Sequence, residues 1–220
     1  MKMLAVFEKG PRLRLIGHLD LMRAIQRALR RSGLPIRYSQ GFNPHILLTF
    51  AAPLNLGAVG LREIMEVPVD GDIAPEAFRD SLNAVLPPDL KILSCRAVED
   101  THKSPMALLK AARYSAVPEN GTDAIAPYLA PFLARQTLPA PKKTKAGEKE
   151  VDIRPMIHEL TCRDGVLYAT LDLREESACK MELLLKTLYA FAGLEMPHCL
   201  ISRLMLLGES GALFMPLEEL

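Results

Sequence analysis

Residues 19–32 run Leu19-Asp-Leu-Met-Arg-Ala-Ile-Gln-Arg-Ala-Leu-Arg-Arg-Ser32, the pattern of an amphipathic helix. Leu21, Met22, Ile25, Ala28 and Leu29 recur at the i, i+1, i+4, i+7, i+8 spacing, which a period of 3.6 residues returns to one side. Arg23, Arg27 and Arg30 fall on the opposite side, with Arg31 beside them. Gly33 stands where a helix commonly ends in a left-handed residue. Upstream, Lys2–Glu8 reads as a short strand. Downstream, Pro35–Tyr38 and Ile46–Phe50 read as extended pieces around a loop, and Leu61–Val69 as a strand. Ala74–Leu86 reads as a helix with Phe78, Leu82 and Val85 on one face, stopped by Pro87-Pro88. Lys91–Ala97 closes the series as a strand. The order β-α-β-β-α-β predicts an α+β fold of the ferredoxin-like, split βαβ kind over residues 1–100.

After a link at about Val98–Pro105 the pattern recurs. Met106–Ala112 reads as a helical piece and Tyr114–Val117 as a strand. Asp123–Arg135 reads as a helix with Ile125, Tyr128, Leu129 and Phe132 on one face. Val151–Arg163 and Val166–Leu173 form a hairpin turned by Asp164-Gly165. Ser177–Gly193 reads as a helix capped by Ser177, and Leu200–Leu207 as the last strand. The expectation is two tandem ferredoxin-like (βαββαβ) units, residues 1–100 and 106–220. Residues 138–150 are rich in Pro and Lys and poor in apolar side chains. That stretch reads as a mobile loop or protruding hairpin, whose Lys142, Lys143, Lys145 and Lys149 either reach an RNA backbone or keep the surface solvated.

The chain has 220 residues, 49% hydrophobic and 24% charged, which excludes a wholly disordered protein. It contains no run approaching the roughly 20 apolar residues that span a bilayer. The N-terminal residues lack the apolar stretch and small-residue cleavage site of a secretory signal. The expected setting is therefore cytoplasmic, without membrane contact. The cysteines Cys95, Cys162, Cys179 and Cys199 form no C-x-x-C pair, so neither a zinc site nor a cluster-binding radical enzyme is expected. No metal ligand set and no cofactor is assigned. The net charge of +1 hides an uneven distribution, with nine basic and two acidic residues in 1–50 against four and nine in 51–100. Either a basic face awaits an anionic partner, or the two surfaces neutralise each other across the fold.

Two clusters carry the chemistry. Arg23, Arg27, Arg30 and Arg31 on one helix face suit several phosphates. Stabilisation of the helix dipole accounts for Arg30 and Arg31 but leaves Arg23 and Arg27 over. The second cluster is Tyr38-Ser-Gln-Gly-Phe-Asn-Pro-His45. Here Ser39, Gln40, Asn43 and His45 supply donors and acceptors, and Phe42 either stacks on a base or packs inward. His18 or Asp20 is placed to cap the arginine helix. His18 and His45 become a general acid/base pair only if the fold brings them together.

Three stretches resemble the bacterial radical-SAM-linked protein family, a domain family of unknown function. They are Gly17-His-Leu-Asp-Leu-Met-Arg-Ala-Ile-Gln-Arg-Ala-Leu-Arg-Arg31, the Tyr38–His45 loop, and Ala52-Pro-Leu-Asn-Leu-Gly57. Lys149-Glu-Val-Asp-Ile-Arg-Pro-Met-Ile157 is similar to a further stretch of that family. Members stand alone or are fused behind a radical SAM enzyme, and their genes often neighbour those for a ribonuclease and ribosomal proteins. After Asn-Pro-His the family commonly continues with Pro and a basic residue, where this chain has Ile46-Leu47-Leu48. The resemblance implies a radical SAM enzyme as partner and tRNA or rRNA as substrate. The leading expectation is a non-catalytic RNA-binding or substrate-presenting protein. The rivals are a histidine-dependent RNA-processing enzyme using His18 and His45, and a protein–protein adaptor that never touches RNA.

Overall fold

A computed structural model describes residues 1–144, 147–211 and 213–220. Its elements are, in chain order, β1 (Lys2–Lys9), α1 (His18–Arg31), β2 (Thr49–Phe50), β3 (Val59–Pro68), α2 (Pro75–Asn83), β4 (Leu90–Val98), α3 (Pro105–Leu108), β5 (Ala111–Pro118), α4 (Leu129–Leu133), β6 (Pro139–Thr144), β7 (Gly147–Asp152), β8 (Ile157–Arg163), β9 (Val166–Asp172), α5 (Met181–Ala192), β10 (Cys199–Ser210) and β11 (Leu213–Pro216). The architecture is α+β. Two compact units emerge: Met1–Leu109 with Arg203–Leu220, and Lys110–Ser202.

In the first unit the strands lie in the order β4-β1-β3, with β2 and β10 both pairing β3 and β11 pairing β10. Strand β1 runs antiparallel to both neighbours, so that Leu4 faces Glu66 on one side and Arg96 on the other. Alternation along β1 sends Met3, Ala5 and Phe7 into a core shared with Leu21, Ile25 and Leu29 of α1 and with Phe78 and Leu82 of α2. Leu4 and Val6, on the other face, are buried as well. Helix α1 forms where the apolar spacing places it, and α2 does so up to Asn83, short of the expected Leu86. Strand β2 is only two residues long, although isolated bridges at Ile36–Val69 and Tyr38–Ile46 extend the pairing of this segment.

In the second unit β5, β9 and β8 are neighbours and antiparallel. Asp164 (φ 51°) and Gly165 (φ 76°) turn the β8–β9 hairpin with two left-handed residues, as a two-residue loop requires. Several boundaries differ from the sequence expectation. The segment expected as a helix over 106–112 is helical only to Leu108, and Ala111 already begins β5. The helix expected over 123–135 is a 3₁₀ turn at Ala126–Tyr128 followed by the short α4, because Pro127 and Pro131 each remove a backbone donor. Ser177 does not cap α5; it donates to Asp172 Oδ1 at 2.8 Å, and the helix starts after Lys180. Residues 139–144 and 147–152 pair as an antiparallel hairpin, and a 3₁₀ turn at Arg154–Met156 separates it from β8. Arg203–Leu220 clusters with the first unit.

Candidate nucleic-acid interface

Helix α1 begins at His18, with Gly17 as its N-terminal flanking residue and no side-chain cap from His18 or Asp20. Asp20 accepts instead from Arg23 Nη1 at 3.0 Å, a pairing between exposed neighbours one turn apart. The helix ends where Ser32 Oγ donates to the Leu29 carbonyl and Gly33 adopts φ 71°. Arg31 Nη2 donates to the Val85 carbonyl at 2.8 Å, which fastens α1 to the end of α2. Of the four arginines, Arg27 and Arg30 are exposed with no hydrogen bond or ion pair among the described residues.

Part of the basic excess of residues 1–50 is neutralised inside the first unit. Lys2 pairs with Glu66, Arg12 with Asp89 at 2.8 Å, and Arg37 with both Asp70 and Asp100 at 2.9 Å. The guanidinium of Arg12 holds the Asp89 carboxyl below its ordinary range, and that of Arg37 does the same for Asp100. These acids come from residues 51–100, so the opposed charges of the two sequence stretches meet in one fold.

The 38–46 segment is a closed loop on a buried base. Ile36 and Ile46 are buried in the core, which accounts for an apolar residue directly after His45. The Ser39 N–H donates to the His45 carbonyl at 2.8 Å, and the His45 N–H to Ser39 Oγ at 3.1 Å. Ser39 Oγ also lies 2.7 Å from His45 Nδ1, which orients the ring. Gly41 takes φ 132° at the tip. Gln40, Asn43 and His45 are exposed, and Phe42 is fully so; it does not pack inward. Such a ring is free to stack.

His18 is placed differently. Its ring lies edge-on to Phe50, 5.2 Å between centroids, and burial followed by the charge of Arg203 lowers its pKa. No hydrogen bond joins His18 to His45 among the described residues. Of the Lys-rich stretch, Lys149 is exposed; Lys145 and the side chains of Lys142 and Lys143 lie outside the described residues.

One buried group escaped the sequence reading. Lys9, Glu63 and Arg203 are 1%, 3% and 2% exposed. Arg203 donates to both carboxylate oxygens of Glu63 and to the carbonyls of Ala52 and Pro53 at 3.2 and 3.1 Å. Lys9 Nζ donates to the carbonyls of Arg14, Ile16 and Ala58. Burial, with Arg203 adding to it, lowers the Lys9 pKa against the opposing pull of Glu63. The Gly57 N–H donates to the Arg14 carbonyl at 2.8 Å. Together these bonds bind loop 10–17 to loop 51–58 next to the start of α1. Ala52 and Pro53 of the Ala52–Gly57 motif are thus backbone acceptors for buried Arg203. No local pattern marks the group, since β3 carries Arg62 and Glu66 as well as Glu63 among its apolar residues.

Residues 2–187 match the family described as an uncharacterized protein conserved in bacteria, DUF2344. The chain belongs to that family. No curated protein matches it. Both exposed clusters, the α1 arginines and the Tyr38–His45 loop, lie within the matched span. Among the described residues no helix is long and apolar enough to cross a membrane.

Proposed function

We propose that this family member is a non-catalytic, RNA-binding or substrate-presenting partner in RNA- or ribosome-related modification, acting in the cytoplasm beside a radical SAM enzyme. The observation that carries the RNA reading is the outward face of α1, where among the described residues Arg27 and Arg30 stand exposed without partners and Arg23 is held by a surface pair. A surface pair of this kind is worth about 1 kcal/mol or less, so a phosphate competes with Asp20 for Arg23. The exposed ring of Phe42 supplies a stacking surface. The radical SAM association rests on the motif resemblance of residues 17–31 and 38–45.

We read each unit as ferredoxin-like. What supports this in the first unit is the strand order β4-β1-β3-β2 with antiparallel pairing throughout. In the second, β9 lies between β5 and β8 and is antiparallel to both.

The test is a titration of the full chain with bulk tRNA and rRNA fragments across a salt series. Wild type is expected to bind with an affinity that falls with salt, and the Arg23/Arg27/Arg30 triple alanine variant to lose most of it. Unchanged affinity and salt slope in that variant remove the arginine assignment. A second reading, the adaptor, is favoured by Leu15, Leu19 and Leu56, which are 68%, 63% and 60% exposed. No RNA binding at low salt, together with a stable complex with a radical SAM protein, selects it.

A further inference from the structure

On the face of the first unit's sheet opposite α1 and α2 lies a cavity of about 90 Å³. Leu4 and Ile64 form its floor, and Leu108 of α3 and Leu217 close over it. Ser94 and His102 also line this largely apolar space, and two further polar side chains bring buried, unpartnered atoms to it. Arg96, from β4, places Nε and Nη2 out of reach of solvent, with no hydrogen-bond partner among the described residues. Glu218 places Oε2 there in the same condition, while its Oε1 accepts from Arg62 at 2.6 Å.

The local charges do not balance. Lys2 is paired with Glu66, and Arg62 with Glu218, which leaves the guanidinium of Arg96 over. A guanidinium with two donors buried and unpartnered is costly, since water is withdrawn from that edge and no acceptor replaces it. The Nε–H and Nη2–H edge of a guanidinium is the edge that receives a carboxylate or phosphate through two parallel bonds.

We infer that this cavity is a binding site for a small carboxylic acid that also carries a donor group, a short α-hydroxy or α-amino acid. Arg96 receives the carboxylate. The hydroxyl or amino group donates to Glu218 Oε2. The aliphatic body lies against Leu4, Ile64 and Leu217, a lining that favours a short carbon chain over an all-polar phosphate. The volume admits a molecule of few heavy atoms and excludes a nucleotide. This site shares no residue with the arginine face or the Tyr38–His45 loop, so its failure leaves the RNA reading untouched, and the converse holds.

The experiment titrates the full chain with L-lactate, L-alanine, acetate and inorganic phosphate at matched ionic strength, following Tm and the Arg96 Nε–Hε resonance. The expected result is a Tm that climbs with lactate or alanine concentration, a shifted Arg96 resonance and a smaller response to acetate. R96Q is expected to abolish the response. Should R96Q not fold, the wild-type resonance decides alone. A response to phosphate only, an equal response in R96Q, or an Arg96 resonance unmoved by every probe overturns the site; the last outcome means that water alone satisfies the two side chains.

Discussion

His18 stands between the solvent and a buried cation. Its ring packs on Phe50, and the Arg203 guanidinium adds its repulsion to the effect of burial, so the imidazole is held neutral more firmly in the fold than in the open chain. The direction follows by linkage. A group whose folded pKa lies below its unfolded value adds stability that is fully present above the unfolded value, here the ordinary 6.5, and is lost as pH falls through the folded one. Denaturant midpoints measured from pH 7.5 downward are expected to drop below about pH 6.5, and to drop less in His18→Gln. Identical profiles for the two proteins would assign the acid sensitivity to other groups. Cys95 gives a second check at this scale. Burial pushes its thiol up to about 12, so in the native state it stays a thiol and does not react with iodoacetamide at pH 8, whereas the unfolded chain does.

At the scale of elements, the strand β3 carries the decisive side chain. Glu63 projects from it toward Arg203 of β10, in a place where both are screened from water. Removing one partner of a buried pair leaves the other charge uncompensated, which typically costs about 3–5 kcal/mol. Arg203→Met is therefore expected to lower stability by roughly that amount and also to release the carbonyls of Ala52 and Pro53. Chemical denaturation measures it; a loss under about 1 kcal/mol would mean that the loops hold without the pair. The same group shows where sequence reading stops. Helix α1 was legible because its apolar residues repeat within a few turns, and the Asp164-Gly165 turn because both residues tolerate a left-handed backbone. The Glu63–Arg203 pair joins positions 140 apart, and no local period marks it. The two prolines that shorten α4 were visible, but the apolar spacing of Ile125, Leu129 and Phe132 outweighed them. Those residues are buried all the same, because a 3₁₀ turn and a short helix present the same side chains. The Tyr38–His45 loop was legible as polar. The fate of Phe42 was open, since an aromatic flanked by Gly and Asn has no periodic partner to draw it inward.

For the whole molecule, the net charge of +1 says little about how strongly an anionic polymer binds, because what matters is how many cations remain uncommitted. The first 50 residues hold nine basic side chains, yet in the fold Lys9 is buried against carbonyls, Lys2, Arg12 and Arg37 are paired, and Arg31 is tied to a backbone oxygen. Binding through α1 should then release the counterions of only a few phosphates. For a single strand the slope of log affinity against log salt is about −0.7 for each phosphate neutralised. The double variant Arg27→Ala/Arg30→Ala is thus expected to flatten the slope by about 1.4. Adding Arg23→Ala should change it less than either of the others, because Asp20 already holds that guanidinium. Fluorescence anisotropy with a short single-stranded RNA, run from low to moderate salt, separates the contributions. An equal step from each of the three arginines would mean that Asp20 yields Arg23 fully to the RNA. A slope that all three substitutions leave unchanged would move the contact off this helix, with the Lys-rich hairpin of the second unit the next face to alter.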